Sequence, residues 1–237
     1  MWLCNSSIGR KVVMSVTGLA LVLFLTFHAC MNVVALFSAE AYNQICELLG
    51  SNWYALAATA GLGALVVIHI LYAFILTIQN RKARGSNRYD KTDKPEKVEW
   101  ASQNMLALGV IIVLGLALHL FNFWYNMMFA EIVGASNPIG PTEGFEWIKE
   151  TFANPVFVVL YVIWLCAIWF HLTHGIWSSM QTLGASGHVW FNRWKCISQI
   201  WATIVVAMFL IVALAFALCP DCLGGADGKV VPFEMAM

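Results

Sequence analysis

The chain has 237 residues, 60% of them hydrophobic and only 11% charged, with a mean hydropathy of +0.74. A soluble domain carries about 25% charged residues, so this composition excludes an ordinary soluble globular protein, a disordered chain and a nucleic-acid binder. Thirteen Lys and Arg balance thirteen Asp and Glu, so net charge alone says nothing about partners, and the class is an all-α polytopic membrane protein of one domain.

In chain order, five stretches free of Asp, Glu, Lys and Arg run over 12–37, 53–78, 105–130, 155–180 and 197–218. Each exceeds the ~20 residues that cross a bilayer core. In lipid the backbone must satisfy its own hydrogen bonds, so each is a helix. A cleaved signal peptide would need a core of about 7–15 residues; the first stretch is 26 long, which argues against cleavage near Ala39-Glu40-Ala41. The connection 38–52 carries Tyr42, Ile45, Leu48 and Leu49 at helical spacing, and 131–154 carries Phe145, Trp147, Ile148 and Phe152. Both are expected as helices lying on the membrane surface.

Charge sets the direction. Arg10 and Lys11 precede the first span, Arg81, Lys82, Arg84, Arg88, Lys91, Lys94 and Lys97 fill the second connection, and Arg193 and Lys195 precede the fifth span. These are eleven of the thirteen basic residues; only Lys149 and Lys229 fall on the other side. Positive residues stay in the cytoplasm, which places the N-terminus inside and the C-terminus outside. The second connection is also the largest cytoplasmic surface and a candidate docking site for a soluble partner.

Seven cysteines exclude a complete disulfide framework. Cys4, Cys30, Cys166 and Cys196 read as small buried hydrophobes. Cys219-Pro-Asp-Cys222 follows the last span and can close as a tail disulfide if that end faces an oxidising compartment.

Five of six histidines lie inside spans: His28, His69, His119, His171 and His174. Intramembrane ionisable residues are expensive and mark functional sites. At 1.5 Å rise per residue, His28 lies ~26 Å in from Lys11 and His119 ~30 Å from Glu99. His69 lies ~18 Å from Arg81 and His174 ~10 Å from Gln181. That gives an outer pair and an inner pair, each joining two spans. Zinc would want three or four ligands at one depth, often with carboxylates; no span carries Asp or Glu. Two imidazoles from facing helices are what a six-coordinate haem takes. Gly18, Ala57, Ala60, Gly61, Gly63, Gly115 and Gly175 leave room for macrocycles. His171 competes with His174, three residues away, and depth does not choose between them. His188 reads as solvated. The chain has no dinucleotide-binding glycine motif and no P-loop, so other redox centres belong to partners, and within the bilayer the mobile partner is a quinone.

Ser6-Ser7-Ile8-Gly9-Arg10-Lys11, Met14, Thr17-Gly18-Leu19, Phe27-His28 and Asn32, followed in the fourth span by Phe170-His171-Leu172-Thr173-His174-Gly175-Ile176-Trp177-Ser178-Ser179 and Gln181-Thr182-Leu183-Gly184, resemble the type B cytochrome b subunit of succinate dehydrogenase/fumarate reductase. The resemblance covers all five spans; the middle ones match mainly in length and histidine placement. It implies an anchor in a bacterial inner membrane whose first four helices form a haem-binding bundle with two haems b. A flavoprotein subunit and an iron–sulfur subunit would sit on the cytoplasmic face. The complex would exchange electrons between succinate/fumarate and a quinone, menaquinone in this type, through the inner and then the outer haem. The implied iron ligands are His28 and His119 for the outer haem, and His69 and His174 for the inner one, with the His174-Gly175 step selecting His174. Quinone-site candidates are Glu40, Glu47 and Tyr42, with Asn43 and Gln44 beside them. Leu172 and Thr173 stand where fumarate-reducing members can carry a glutamate. Arg10, Lys11, Arg81, Arg193, Lys195, Trp100, Ser102 and Asn104 are candidate propionate partners. The alternatives are a diheme anchor of a hydrogenase or formate dehydrogenase, a transporter, and a haem-free structural anchor. The first would want a partner on the outer face; a transporter would want broken helices, and no span contains an internal Pro.

Overall fold

A computed structural model describes residues 6–84 and 99–224. Cys4, Arg88, Lys91, Lys94, Lys97 and Lys229 lie outside the described residues, as does most of the basic connection expected to dock a partner.

Among the described residues all regular structure is helical, and five helices are long and apolar enough to cross a membrane. They are α1 (Ser7–Val34), α3 (Trp53–Arg84), a third span opening with α5 (Met105–His119), α8 (Pro155–Thr182) and α9 (His188–Leu218). Short helices α2 (Ala39–Leu48), α4 (Trp100–Gln103), α6 (Ala130–Val133) and α7 (Gly144–Ala153) occupy the connections, and a 3-10 turn covers Pro220–Cys222.

Local chemistry explains the ends. Ser6 Oγ accepts from the Gly9 amide at 2.9 Å to cap α1, and Ser38 Oγ accepts from the Ala41 amide at 3.1 Å to cap α2. Pro155 opens α8, where its missing N–H is no loss, while Asn154 Oδ1 accepts from the Val156 amide. Gly134, at φ 66°, closes α6 in the left-handed conformation that glycine adopts without strain.

Three features differ from the sequence expectations. The fifth helix begins at His188, not at 197, because its charged end is still helical: Arg193 lies over the Trp190 ring at 5.2 Å. The third span changes winding directly after His119, where Leu120–Phe129 is π-helical; Asn126 Nδ2 donates to the carbonyls of both Phe121 and Asn122 there. Cys30, Cys166 and Cys196 are exposed, not buried. A thiol facing lipid is out of water without being in a protein core, and hydropathy does not separate the two.

The chain forms two compact units. The first comprises 1–25, 60–112 and 167–203; Ala101, Leu108 and Ala167 are buried there against Met105 and Ile112. The second comprises 26–59, 113–166 and 204–237 and has the larger core. Within it α7 packs its apolar face on the core and exposes Glu146 and Glu150. Phe145, Ile148 and Phe152 are each at most 6% exposed, with Phe145 packed on Phe216 and Phe152 on Tyr161. Burial of each such side chain contributes about 1.5–3 kcal/mol. The α2 helix is tied to α7 where Asn43 Oδ1 accepts from the Phe145 amide at 2.9 Å. Its Tyr42 is buried, while Leu48 and Leu49 face outward.

Candidate functional site

Each unit holds one facing pair of histidines. In the second unit the rings of His28 (α1) and His119 (the last residue of α5) are 5.8 Å apart and edge-to-face at 79°. Phe209 lies 5.6 Å from His28. Phe123, Tyr161 and Trp164 surround His119 at 5.2, 6.2 and 5.6 Å. Asn122 Nδ2 donates to the Tyr161 hydroxyl. Asn32, one turn after His28, donates to the His28 carbonyl at 2.8 Å and reaches the His28 ring nitrogens at 3.4–3.5 Å. Tyr42 in turn donates to Asn32 Oδ1 at 3.2 Å.

In the first unit His69 (α3) faces His171 (α8), with ring centroids 6.3 Å apart at 70°. The resemblance implies His174 as the partner of His69; the ring set against His69 here is that of His171. The His174 ring sits edge-on to Trp177 at 4.9 Å, and its Nδ1 is 3.4 Å from Glu99 Oε2. Leu165, Ala167, Ile168, Leu172 and Ile176 are buried along this part of α8. At 3.6 residues per turn His171 and His174 lie about 60° apart around the helix.

Both pairs have the chemistry of a bis-imidazole site. Among the described residues no group of three or more His, Cys, Asp or Glu is placed to hold a metal ion, which separates these sites from a zinc-type centre. Each pair would offer two imidazole nitrogens to a bound group. His119 Nδ1 and His171 Nδ1 are buried without a hydrogen-bond partner, which costs about 1–3 kcal/mol each and marks both rings as built for something besides packing. The opposite ring in each pair is held: His28 by Asn32, and His69 by the Thr17 hydroxyl at 3.1 Å. These residues fit a haem iron.

The glycines divide. A Cβ at Gly61, Gly63 or Gly175 would meet nothing within 4 Å, and Gly61 and Gly63 are exposed. Gly18 instead admits His69 against the α1 backbone: a Cβ there would be 3.2 Å from His69 Cε1. Gly115 is covered by the Trp164 indole.

The quinone-site candidates do not converge. Tyr42 points inward to Asn32. Glu40 and Glu47 are exposed; Glu40 accepts from the Gln44 side chain at 3.4 Å. A carboxylate held across this unit is Glu131, whose Oε2 accepts from the Ser51 amide at 3.1 Å. Sequence reasoning passed over it because it sits at the end of a span, where acidic residues are unremarkable.

A charged cluster forms in the first unit. Glu99 Oε1 pairs with Lys195 at 2.6 Å, and the Lys195 ammonium lies over Trp177 and Phe191 at 4.8 and 4.9 Å. Burial pushes the Glu99 carboxyl up, but hydrogen bonds and charge from Lys195 and His174 outweigh it and hold it below the ordinary range. Lys195 is thereby engaged by protein, unlike the free propionate partner the sequence allowed. In the second unit, Tyr42 and Cys46 lie in a dry pocket closed by Gly144, where a Cβ would meet Cys46 Sγ. Burial, with Cys46 beside it, raises the Tyr42 phenol. Burial pushes the Cys46 thiol to about 11 against smaller opposing hydrogen bonds from Tyr42 and Gly144. Cys219 and Cys222 form a disulfide, and Lys149 pairs with Asp221 at 2.9 Å beside it.

Compared with known proteins, the chain matches no family model, no curated protein and no solved structure.

Proposed function

We propose that the chain is a diheme cytochrome b anchor of a succinate:quinone oxidoreductase. The observation that carries this reading is the presence of one facing histidine pair in each compact unit, drawn from four different apolar helices and free of acidic ligands. His28 and His119 would hold the outer haem b. His69 and His171, in place of His174, would hold the inner one. Bound there, the groups supply one-electron transfer between redox centres on partner subunits and a membrane quinone. The protein's part is to fix the imidazoles, exclude water and set the local dielectric, which together tune the potentials.

The partners in this reading are a flavoprotein and an iron–sulfur subunit on the cytoplasmic face, and menaquinone in the membrane; no nucleic acid is involved. In this reading the membrane is a bacterial inner membrane, as the resemblance implies, and the distribution of basic residues supports an inside N-terminus. The Cys219–Cys222 disulfide supports an outside C-terminus, because such bonds persist in oxidising compartments.

The test is single replacement of His69, His171 and His174 by Ala, with haem quantified per purified chain. Loss of one haem in H69A and H171A, and retention of both in H174A, is the expected pattern. Loss of a haem in H174A with both retained in H171A would restore the pairing implied by the resemblance. Two haems retained in all three variants would refute the inner site altogether.

A further inference from the structure

We propose that Thr17 is a positioning residue that fixes the tautomer of His69. Thr17 is 5% exposed, so its hydroxyl has no water to turn to. Its oxygen lies 2.9 Å from the Val13 carbonyl, 3.1 Å from the Met14 carbonyl and 3.1 Å from His69 Nδ1. A hydroxyl has one proton. Both carbonyls can only accept; in the proposed arrangement that proton goes to the α1 backbone, the oxygen's lone pair faces the imidazole, and Nδ1 is the protonated nitrogen. Gly18 lets this happen by bringing the ring to the helix backbone, where a Cβ would stand 3.2 Å from Cε1.

A neutral imidazole with its proton on Nδ1 has its lone pair on Nε2. That is the form a metal takes, and the acceptor behind Nδ1–H raises ligand basicity and holds the ring's direction. Thr17 therefore prepares His69 before any iron arrives. The role toward haem rests on the function proposed above; the tautomer does not, and the experiment separates them.

The first arm uses the haem-free full chain, labelled with 15N in its histidines and set in lipid bilayers. Nitrogen spectra are recorded for the native chain and for Thr17→Val and Thr17→Ser, with His69 assigned by difference against His69→Gln. The native chain and Thr17→Ser should show His69 protonated at Nδ1, and Thr17→Val should lose that state. Protonation at Nε2 in the native chain, or an unchanged spectrum in Thr17→Val, overturns the proposal. The native spectrum decides even if the valine variant does not fold.

The second arm uses chains loaded with haem. Removing the acceptor behind Nδ1–H makes the ligand less basic and favours the ferrous state. Thr17→Val should shift the ferric-to-ferrous balance of one haem about tenfold, which is ~59 mV for one electron, and Thr17→Ser should leave it in place. Equal potentials in native chain and Thr17→Val overturn the role toward haem. A native chain that binds no haem refutes the proposed function and leaves the tautomer to the first arm.

Discussion

Replacing Gly115 by Ala tests the packing around His119 directly. A Cβ at this position would overlap Cγ and Cδ1 of Trp164 and stand 2.5 Å from its Nε1. Ordinary carbon contacts lie near 3.5–4.0 Å, so the indole has to move by roughly an ångström. The overlap involves the root of the ring, so no small change of the outer torsion relieves it. Trp164 also packs on Tyr161 at 5.6 Å and on His119 at 5.6 Å, so its displacement spreads through the cluster. Overpacking of this kind costs about 1–3 kcal/mol. For a chain of this length 2 kcal/mol corresponds to a fall of about 4–8 °C in Tm. The assay is thermal unfolding of the purified chain in mild detergent, followed by tryptophan fluorescence and circular dichroism. Because Trp164 is the colliding group, Gly115→Ala combined with Trp164→Leu should cost less than the sum of the two changes, a non-additivity expected of touching residues. A Gly115→Ala chain with native Tm, or strict additivity with Trp164→Leu, would refute the described packing.

Three further outcomes follow from the same structure. Tyr42→Phe removes the bond to Asn32 Oδ1 and should destabilise by about 0.5–1.5 kcal/mol, read as a lower Tm; an unchanged Tm would mean the bond is not made. Cys46, with its thiol pushed up to about 11, is only ~0.1% thiolate at pH 8. Its alkylation, followed by mass spectrometry, should rise about tenfold per pH unit from 8 to 10, and an ordinary thiol's rate at pH 8 would contradict the dry pocket. Glu99 has a depressed carboxyl, so its contribution is full above its ordinary value and fades as pH falls through the lower folded value. At 36% side-chain exposure its pair with Lys195 is solvent-screened, and Glu99→Gln should cost no more than about 1 kcal/mol at neutral pH. The gap between native chain and variant should close in acid; a gap that widened there would contradict the sign.

Five spans were legible because nothing but a helix satisfies the backbone in lipid, and charges mark where water begins. Their ends were less so: hydropathy stops where Arg193 and Lys195 begin, while the helix continues to His188. The histidine types and approximate depths were legible too, since an imidazole in an apolar run stands out. Their rotational placement was not. The fourth span is apolar all round, so it has no polar face to show which side looks inward, and spacing alone does not tell which of His171 and His174 meets the ring of His69. The same blindness misplaced the exposed cysteines. Thr17 and Asn32 stood in the motifs that suggested the resemblance; the Asn32–His28 contact is a four-residue helical spacing that the sequence could show, whereas the bond from Thr17 to His69 joins positions 52 residues apart that no linear spacing reveals. Glu99 was visible only as a boundary mark, because its partners lie 75 residues away at His174 and beyond at Lys195.

The central claim is that the two histidine pairs hold haem iron. The most direct measurement is the reduced-minus-oxidised optical spectrum of the purified full chain, with haem quantified per polypeptide. A b-type spectrum with about two haems per chain is the predicted result. No haem would contradict the account and leave a structural anchor; a single haem would leave one of the two pairs as packing.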